Sequence, residues 1–140
     1  KGKVKGIDIA DLKIPLRANM FFFKKNILDA DIFSLKELKE KYDLVVSDIA
    51  PKTSGIKFAD AQNSLLLCQR ALEIARMVLK EGGSFVCKVF EGEESEHFLK
   101  SLKECFGFIK KFRPKAVSKG SKEFYAVAKE YQNGKFKAQK

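Results

Sequence analysis

The sequence contains no tryptophan, a single histidine, three cysteines and three prolines among its 140 residues. It also lacks a long apolar run, since none approaches the ~20 residues that a helix needs to cross a bilayer. Residues 1–8 carry neither the apolar core nor the cleavage site of a secretory signal peptide. We therefore expect a cytoplasmic protein that has no membrane partner.

The few residues that commonly bind metals are spread along the chain. The cysteines are Cys68, Cys87 and Cys105, none of them in a C-x-x-C spacing, and the histidine is His97. A zinc site needs about four clustered nitrogen or sulfur ligands, so we predict no metal site. Each cysteine lies in an apolar pattern and is interpreted as a small core residue. His97 lies beside acidic residues and is interpreted as a surface residue.

Basic residues outnumber acidic ones. The chain has 28 lysines and arginines against 18 aspartates and glutamates, which gives a formal net charge of +10. Such a surplus favours anionic partners, because lysines that neutralise phosphates release counterions. The alternative is a lysine-rich surface that binds nothing. Charge alone therefore makes nucleic acid a candidate partner without deciding the matter.

Hydrophobic patterning predicts alternating strands and helices in one domain, residues 1–130, followed by a basic tail, 131–140. Ser34 is a candidate cap for a charged helix, the apolar run at 43–49 is typical of a strand buried on both faces, and Gly82 with Gly83 is expected to end a long helix. The predicted strands are 4–9, 20–23, 43–49, 84–90, 108–112 and 123–128, and the predicted helices follow Ser34 and span 60–80 and 94–106. This order predicts an α/β fold with a mostly parallel sheet and helices on both faces.

Ligands of such sheets bind at the carboxyl ends of the strands. The polar residues at the predicted strand ends are Asp8, Asn26, Asp48, Lys88 and Glu123. Asp48 and Lys88 interrupt apolar runs, where an unpaired charge is costly to bury. They form either a functional pair or a mutually neutralising structural ion pair, and Asp48 alone has a further reading as a turn cap before Pro51.

Three segments, DLVVSDIAPKTSG, GGSFVCKVFEG and SKEFYAVAK, resemble the characteristic blocks of the FtsJ-like RNA 2′-O-methyltransferases. The resemblance spans residues 3–129. It implies a Rossmann-like fold that uses S-adenosylmethionine (SAM), and a Lys-Asp-Lys-Glu catalytic tetrad. The Asp of the tetrad matches Asp48, its second Lys matches Lys88 and its Glu matches Glu123, while its first Lys lies upstream of this sequence.

The resemblance also implies contacts to SAM. Asp8 matches the acid that holds the ribose hydroxyls, Asn26 falls where many members have an Asp near the adenine, and Asp48 lies at the same edge. The first strand of the family's sheet and its Gly-rich loop are absent from this sequence. In the family this strand lies between the strands that here carry Asp8 and Asp48, so we expect the SAM site to be incomplete in these residues alone.

The activity implied by the resemblance is methylation of a ribose 2′-hydroxyl, in a uridine of large-subunit ribosomal RNA, by a monomer. Lys88 acts either as general base or as a positioning group, since nearby carboxylates would raise its pKa. Lys115, Lys119 and Lys122 belong to a basic run leading into Glu123, interpreted as a phosphate-contacting segment or a solvated loop. Alternative functions are methylation of transfer RNA and catalytically silent RNA binding.

Overall fold

The computed structural model describes residues 2–51, 54–114 and 123–133. The strands are β1 (Val4–Asp8), β2 (Met20–Lys24), β3 (Tyr42–Ser47), β4 (Leu79–Phe90), β5 (Phe106–Phe112) and β6 (Glu123–Tyr131). The helices are α1 (Lys57–Val78) and α2 (Ser95–Lys103), with two short 3₁₀ helices, Ala30–Ser34 and Lys36–Lys39. The chain divides into two compact units, Lys1–Leu35 and Lys36–Lys140.

The first unit is built on two parallel strands. β1 pairs with β2 from Val4 opposite Met20 to Asp8 opposite Lys24. Beyond the last pair, the Lys25 amide donates to the Asp8 carbonyl at 2.9 Å. The aromatic run in β2 favours a strand, because rings pack well on a pleated surface. The carboxyl ends of both strands consequently lie side by side.

The second unit contains a four-stranded sheet in the order β3-β4-β6-β5. β3 runs parallel to β4, whereas β6 runs antiparallel to both β4 and β5. The predicted α/β class is confirmed. The sheet of this unit is mixed, because β5 and β6 close its far side as an antiparallel pair.

One face of this sheet carries the core. Alternate residues of β4 and β6 point into it, including Phe85 and Phe124, and meet Phe98 and Leu102 of α2. The core also receives α1, so both α-helices of the unit contribute to a single apolar cluster that excludes water. Its buried members are Cys68, Ala71, Leu72, Ala75, Leu79, Phe85, Cys87, Val89, Phe98, Leu99, Leu102, Cys105, Phe106, Phe124, Ala126, Ala128 and Tyr131.

The opposite face is more open, which corrects the prediction for β3. This strand was expected to be buried on both faces, but Leu44 and Val46 are 53% and 59% exposed. They share a face with Ser84 and Val86 of β4, their partners in the parallel register. Among the described residues of the second unit, β3 is an edge strand that pairs with β4 alone.

Two predictions about helices were wrong, one about a helix type and one about a helix end. The segment after Ser34 forms 3₁₀ turns instead of an α-helix, and Ser34 Oγ donates back to the Asp31 carbonyl at 2.6 Å instead of capping a helix ahead of it. Gly82 and Gly83 do not end α1, since β4 already begins at Leu79 and includes both glycines. Gly82 has φ of 81°, and a Cβ on Gly83 would lie 2.9 Å from the Lys80 carbonyl oxygen, so the strand needs glycine here.

Other predictions concern single residues. The three cysteines are free and buried, as predicted for core positions, and His97 is exposed. Tyr131, assigned to the tail, instead ends β6: its ring lies 5.3 Å from that of Phe106 and its hydroxyl donates to the Arg76 carbonyl at 3.0 Å. Within the described ranges, no helix combines the length and apolar character required to span a bilayer.

Candidate active site

Asp48 and Lys88 meet at the carboxyl edge of the parallel pair. Asp48 directly follows β3, and the register that places Ser47 opposite Cys87 brings it level with Lys88 on β4. Lys88 Nζ lies 3.3 Å from Asp48 Oδ1. On the core side, Cys68 Sγ donates to the Lys88 carbonyl at 3.2 Å, which ties this point of β4 to α1. The structure therefore brings together the two residues that interrupt the apolar runs.

The antiparallel partner strand adds two further side chains. Tyr125 of β6 lies opposite Lys88, and Glu123 lies opposite Phe90. Because alternate residues of a strand share a face, Glu123 and Tyr125 lie on the same face as Lys88. The Tyr125 hydroxyl donates to Asp48 Oδ1 at 2.8 Å. A single carboxylate oxygen thus accepts a hydrogen bond from Tyr125 and forms an ion pair with Lys88.

Lys88 carries its proton at neutral pH. Its side chain is only 16% exposed, and this partial burial lowers its pKa. The hydrogen bond and charge of Asp48 oppose the effect of burial, as does the charge of Glu123, and together they raise the pKa above the ordinary lysine value. One ammonium therefore lies among two carboxylates, and Glu123 acts on it through its charge.

Tyr125 is a donor in this arrangement. Its hydrogen bond to Asp48, with partial burial and the Asp48 charge, raises the pKa of the phenol above its ordinary value, although the charge of Lys88 opposes this. A phenol with a raised pKa keeps its proton at neutral pH. The short hydrogen bond to the carboxylate consequently persists under physiological conditions.

Tyr125 was not predicted as a site residue. Its neighbour Phe124 points into the core and is 1% exposed. The available signal was strand periodicity, because a site face that contains Glu123 also contains the residue two positions later. Tyr125 is that residue, and Phe124 belongs to the opposite face.

Arg113 joins the ends of two strands beside the site. Its guanidinium donates to the Glu123 carbonyl at 3.0 Å and to the Glu91 carboxylate at 3.1 Å. Lys111 forms ion pairs with Glu91 and Glu96 at 3.6 and 3.2 Å. These contacts hold the start of β6 near the end of β4, and the two cations are neutralised by acidic neighbours.

The segment after Asp48 is tied to the start of α1. Asp60 Oδ1 accepts hydrogen bonds from both the backbone amide and the hydroxyl of Ser54, each at 2.8 Å. The hydrogen bonds from the Ser54 amide and the Ser54 hydroxyl, with a weaker one from the Gly55 amide, lower the pKa of Asp60. Burial opposes this shift but does not cancel it. Asp60 therefore acts as an ionised anchor for the loop that leaves the site.

Two of the three predicted cofactor residues, Asp8 and Asn26, belong to the first unit, and the third, Asp48, belongs to the second. Asp8 ends β1 and its Oδ1 accepts from the Ala10 amide at 3.2 Å, which leaves its second oxygen for a ligand. Asn26 lies just beyond β2, and its Oδ1 accepts from the Leu28 amide at 2.9 Å, which leaves its amide group as a donor. A free carboxylate oxygen suits a ribose hydroxyl, and an amide donor suits a ring nitrogen of adenine. These residues fit the adenosine part of SAM, and their roles remain predictions.

The remaining predicted site residues lie outside the described ranges. Lys115, Lys119 and Lys122 fall between residues 114 and 123, and their contact with RNA remains a prediction. Within the described ranges, no cluster of three or more histidine, cysteine, aspartate or glutamate side chains is arranged to hold a metal ion.

Comparison with known proteins bears on the family. The model of the FtsJ-like methyltransferase family matches residues 1–131. A protein of Desulfatibacillum aliphaticivorans named ribosomal RNA large subunit methyltransferase E is 41% identical over 126 residues, which are 90% of this chain and 61% of that protein. A protein of the same name from Borrelia duttonii is 38% identical over 130 residues, 93% of this chain and 67% of that protein.

A solved structure supports the same relationship. A protein of Plasmodium falciparum, described as a putative ribosomal RNA methyltransferase, superposes with a TM-score of 0.80 at 25% identity, over 95% of this chain and 74% of that one. The chain spans between 61% and 67% of the length of the two bacterial relatives. Because the family model covers nearly all of its residues and the fold agrees, the chain belongs to the FtsJ-like methyltransferase family.

Proposed function

We propose that this chain forms the catalytic part of an enzyme that transfers a methyl group from SAM to a ribose 2′-hydroxyl of RNA. The observation that carries the proposal is the Lys88–Asp48 ion pair, with Glu123 on the same face, in a member of this family. The names of the bacterial relatives support large-subunit ribosomal RNA as the substrate. We further propose a uridine as the modified nucleotide.

Lys88 positions the hydroxyl in this proposal. SAM supplies an activated methyl group on a sulfonium, so the protein must align the 2′-oxygen and favour the charge that develops on it. The raised pKa of Lys88 favours a protonated group over a general base. Its ammonium orients the oxygen and stabilises the negative charge that develops as the hydroxyl proton is released to solvent, while Asp48 holds the ammonium in place and Glu123 keeps it charged.

The first unit supplies the proposed contacts to the cofactor. Asp8 accepts hydrogen bonds from the ribose hydroxyls of SAM, and Asn26 donates to its adenine. Support comes from the position of both residues at the carboxyl ends of adjacent parallel strands, where ligands of α/β sheets bind. Asp48 is proposed to border the same cofactor.

Replacing Lys88 tests the catalytic assignment. In the full-length enzyme, Lys88→Ala should abolish methyl transfer and leave SAM affinity nearly unchanged, because a group that acts in the transition state contributes little to ground-state cofactor binding. Tritium transfer from labelled SAM measures the first quantity, and calorimetry measures the second. Lys80→Ala is a matched control, since Lys80 also pairs with β3, at 3.3 Å from Asp43, but away from the site.

Two results would contradict the assignment. Near-wild-type turnover by Lys88→Ala would remove Lys88 from the mechanism, and equal losses in both variants would indicate general damage to β4. The substrate is tested separately, by supplying large ribosomal subunits that lack the modification or unmodified transfer RNA. Transfer to the subunits supports the proposal; transfer only to transfer RNA, or binding of RNA without transfer, overturns the substrate or the activity respectively.

A further inference from the structure

Asp48 depends on side chains for its position. It lies one residue past β3, where the strand's hydrogen bonds have ended, and its side chain is 61% exposed. Its carboxylate is held by Lys88 from β4 and by Tyr125 from β6. Two restraints from neighbouring strands therefore replace the backbone restraint that Asp48 lacks.

The contact with Tyr125 bridges two strand spacings. The sheet order is β3-β4-β6, and adjacent strands lie roughly 4.8 Å apart, so the Tyr125 side chain must cross β4 to reach Asp48. It crosses at Lys88, its partner in the antiparallel register. Tyr125 consequently spans the strand that carries Lys88 and contributes to the low exposure of that side chain.

Both contacts of the Asp48 carboxylate fall on the same oxygen, Oδ1. Asp48 Oδ1 accepts the Tyr125 hydroxyl at 2.8 Å and lies 3.3 Å from the Lys88 ammonium nitrogen. Contacts from two different strands restrict rotation of the carboxylate. Without the phenol hydroxyl, Lys88 alone would hold the group, and an exposed carboxylate with one partner rotates freely.

We propose that Tyr125 is a positioning residue, which acts through Asp48 to hold the Lys88 ammonium in the orientation that methyl transfer requires. The expected effect of Tyr125 on the rate of methyl transfer rests on the proposed function. Its structural consequence, an ordered Lys88 ammonium, is independent of activity. The matched control is Tyr131, which lies on the same strand and also donates its hydroxyl, at 3.0 Å to the Arg76 carbonyl, but belongs to the core.

The test compares Tyr125→Phe with Tyr131→Phe. In Tyr125→Phe we expect kcat to fall by about 10- to 100-fold with the KM values for RNA and SAM unchanged, since the change disturbs alignment and leaves binding intact. Nitrogen-detected NMR of the Lys88 ammonium should show a slowly exchanging signal in the wild type and loss of that signal in Tyr125→Phe. Tyr131→Phe should retain both kcat and the signal.

A double-mutant cycle tests the route through Asp48. If Tyr125 acts through this carboxylate, Tyr125→Phe should change residual kcat by less than about twofold in an Asp48→Asn background. Unchanged kcat and an unchanged Lys88 signal in Tyr125→Phe would overturn the inference, as would loss of the signal in both tyrosine variants. If the wild type shows no methyl transfer, and the Lys88 signal is present in the wild type but lost in Tyr125→Phe, the proposed function is contradicted and the positioning role of Tyr125 is not.

Discussion

At the scale of single residues, two ion pairs between the same strands show what burial changes. Lys80–Asp43 joins β4 to β3 and Lys88–Asp48 joins β4 to the residue that follows β3, each at 3.3 Å. The side chain of Lys80 is 54% exposed, and exposed pairs contribute roughly 0–1 kcal/mol. Lys88 is 16% exposed and its pKa is raised, so its pairing stabilises the fold below the ordinary lysine pKa and loses this effect as pH rises through the folded value.

Asp60 gives a residue-scale prediction in the acid range. Its pKa is lowered by the Ser54 hydrogen bonds, so its ionised form stabilises the folded state above about pH 4, and the effect is lost as pH falls through the folded pKa. Asp60→Asn should therefore reduce the free energy of unfolding at pH 7, and its difference from the wild type should shrink on acidification. Urea unfolding followed by circular dichroism at several pH values measures both effects.

A second carboxylate provides the control for this prediction. Asp43→Asn removes the charge of a side chain that is 87% exposed. It should change the free energy of unfolding less than Asp60→Asn does at neutral pH. A difference between Asp60→Asn and wild type that stays constant down to pH 2 would contradict the anchoring role of Asp60. Because Asp60 holds the loop that follows Asp48, the variant should also lose methyl-transfer activity.

The sequence allowed three of the clustered residues to be placed. Asp48 and Lys88 were identifiable because charges interrupt apolar runs there, and Glu123 because of the family resemblance. Tyr125 carries no such signal, since a tyrosine in a strand is ordinary. Its role depends on the pairing of β6 with β4. This pairing places Tyr125 opposite Lys88, 37 residues earlier in the chain, and a local sequence pattern does not encode it.

At the scale of elements, the junction between α1 and β4 shows the limit of apolar patterning. Val78 ends the helix and Leu79 begins the strand, and both are buried. Because the apolar run continues across this boundary, the sequence carries no local signal that the helix ends and a strand begins. The prediction therefore placed the end of the helix at Gly82, the nearest residue that commonly ends helices. The actual boundary is set by tertiary contact, because Leu79 pairs with Tyr42 of β3.

The packing of α2 gives the element-scale prediction. Leu102 is fully buried against the sheet, whereas Leu66 on α1 is 55% exposed. Leu102→Ala should lower the free energy of unfolding by about 2–5 kcal/mol, because the lost contacts leave a cavity. Leu66→Ala, the same chemical change at an exposed position, should stay within about 0.5 kcal/mol of the wild type. Chemical denaturation of both variants measures the difference, and equal effects would contradict the assigned core face.

At the scale of the whole molecule, the distribution of charge matters more than its total. The site contains two carboxylates and one ammonium, so it does not attract phosphates by itself. The nearby cations Arg113 and Lys111 form ion pairs with Glu91 and Glu96, respectively. The chain nonetheless has a formal net charge of +10. The proposed affinity for RNA is therefore expected to come from basic residues that lie outside this cluster.

The basic run that precedes Glu123 is the predicted source of that affinity. Neutralising Lys115, Lys119 and Lys122 together, each to Gln, should weaken RNA binding and flatten its dependence on salt, because each lost phosphate contact reduces the slope of log affinity against log salt by about one. Fluorescence anisotropy with a labelled RNA over a series of potassium chloride concentrations gives this slope. The control replaces Lys57, Lys100 and Lys103, which are exposed residues of α1 and α2, and removes the same total charge. If both triple variants change the slope equally, the effect reflects net charge alone. A smaller slope only in the first variant would identify the run as the RNA contact, since distant charges are screened beyond about 10 Å at 0.1 M salt.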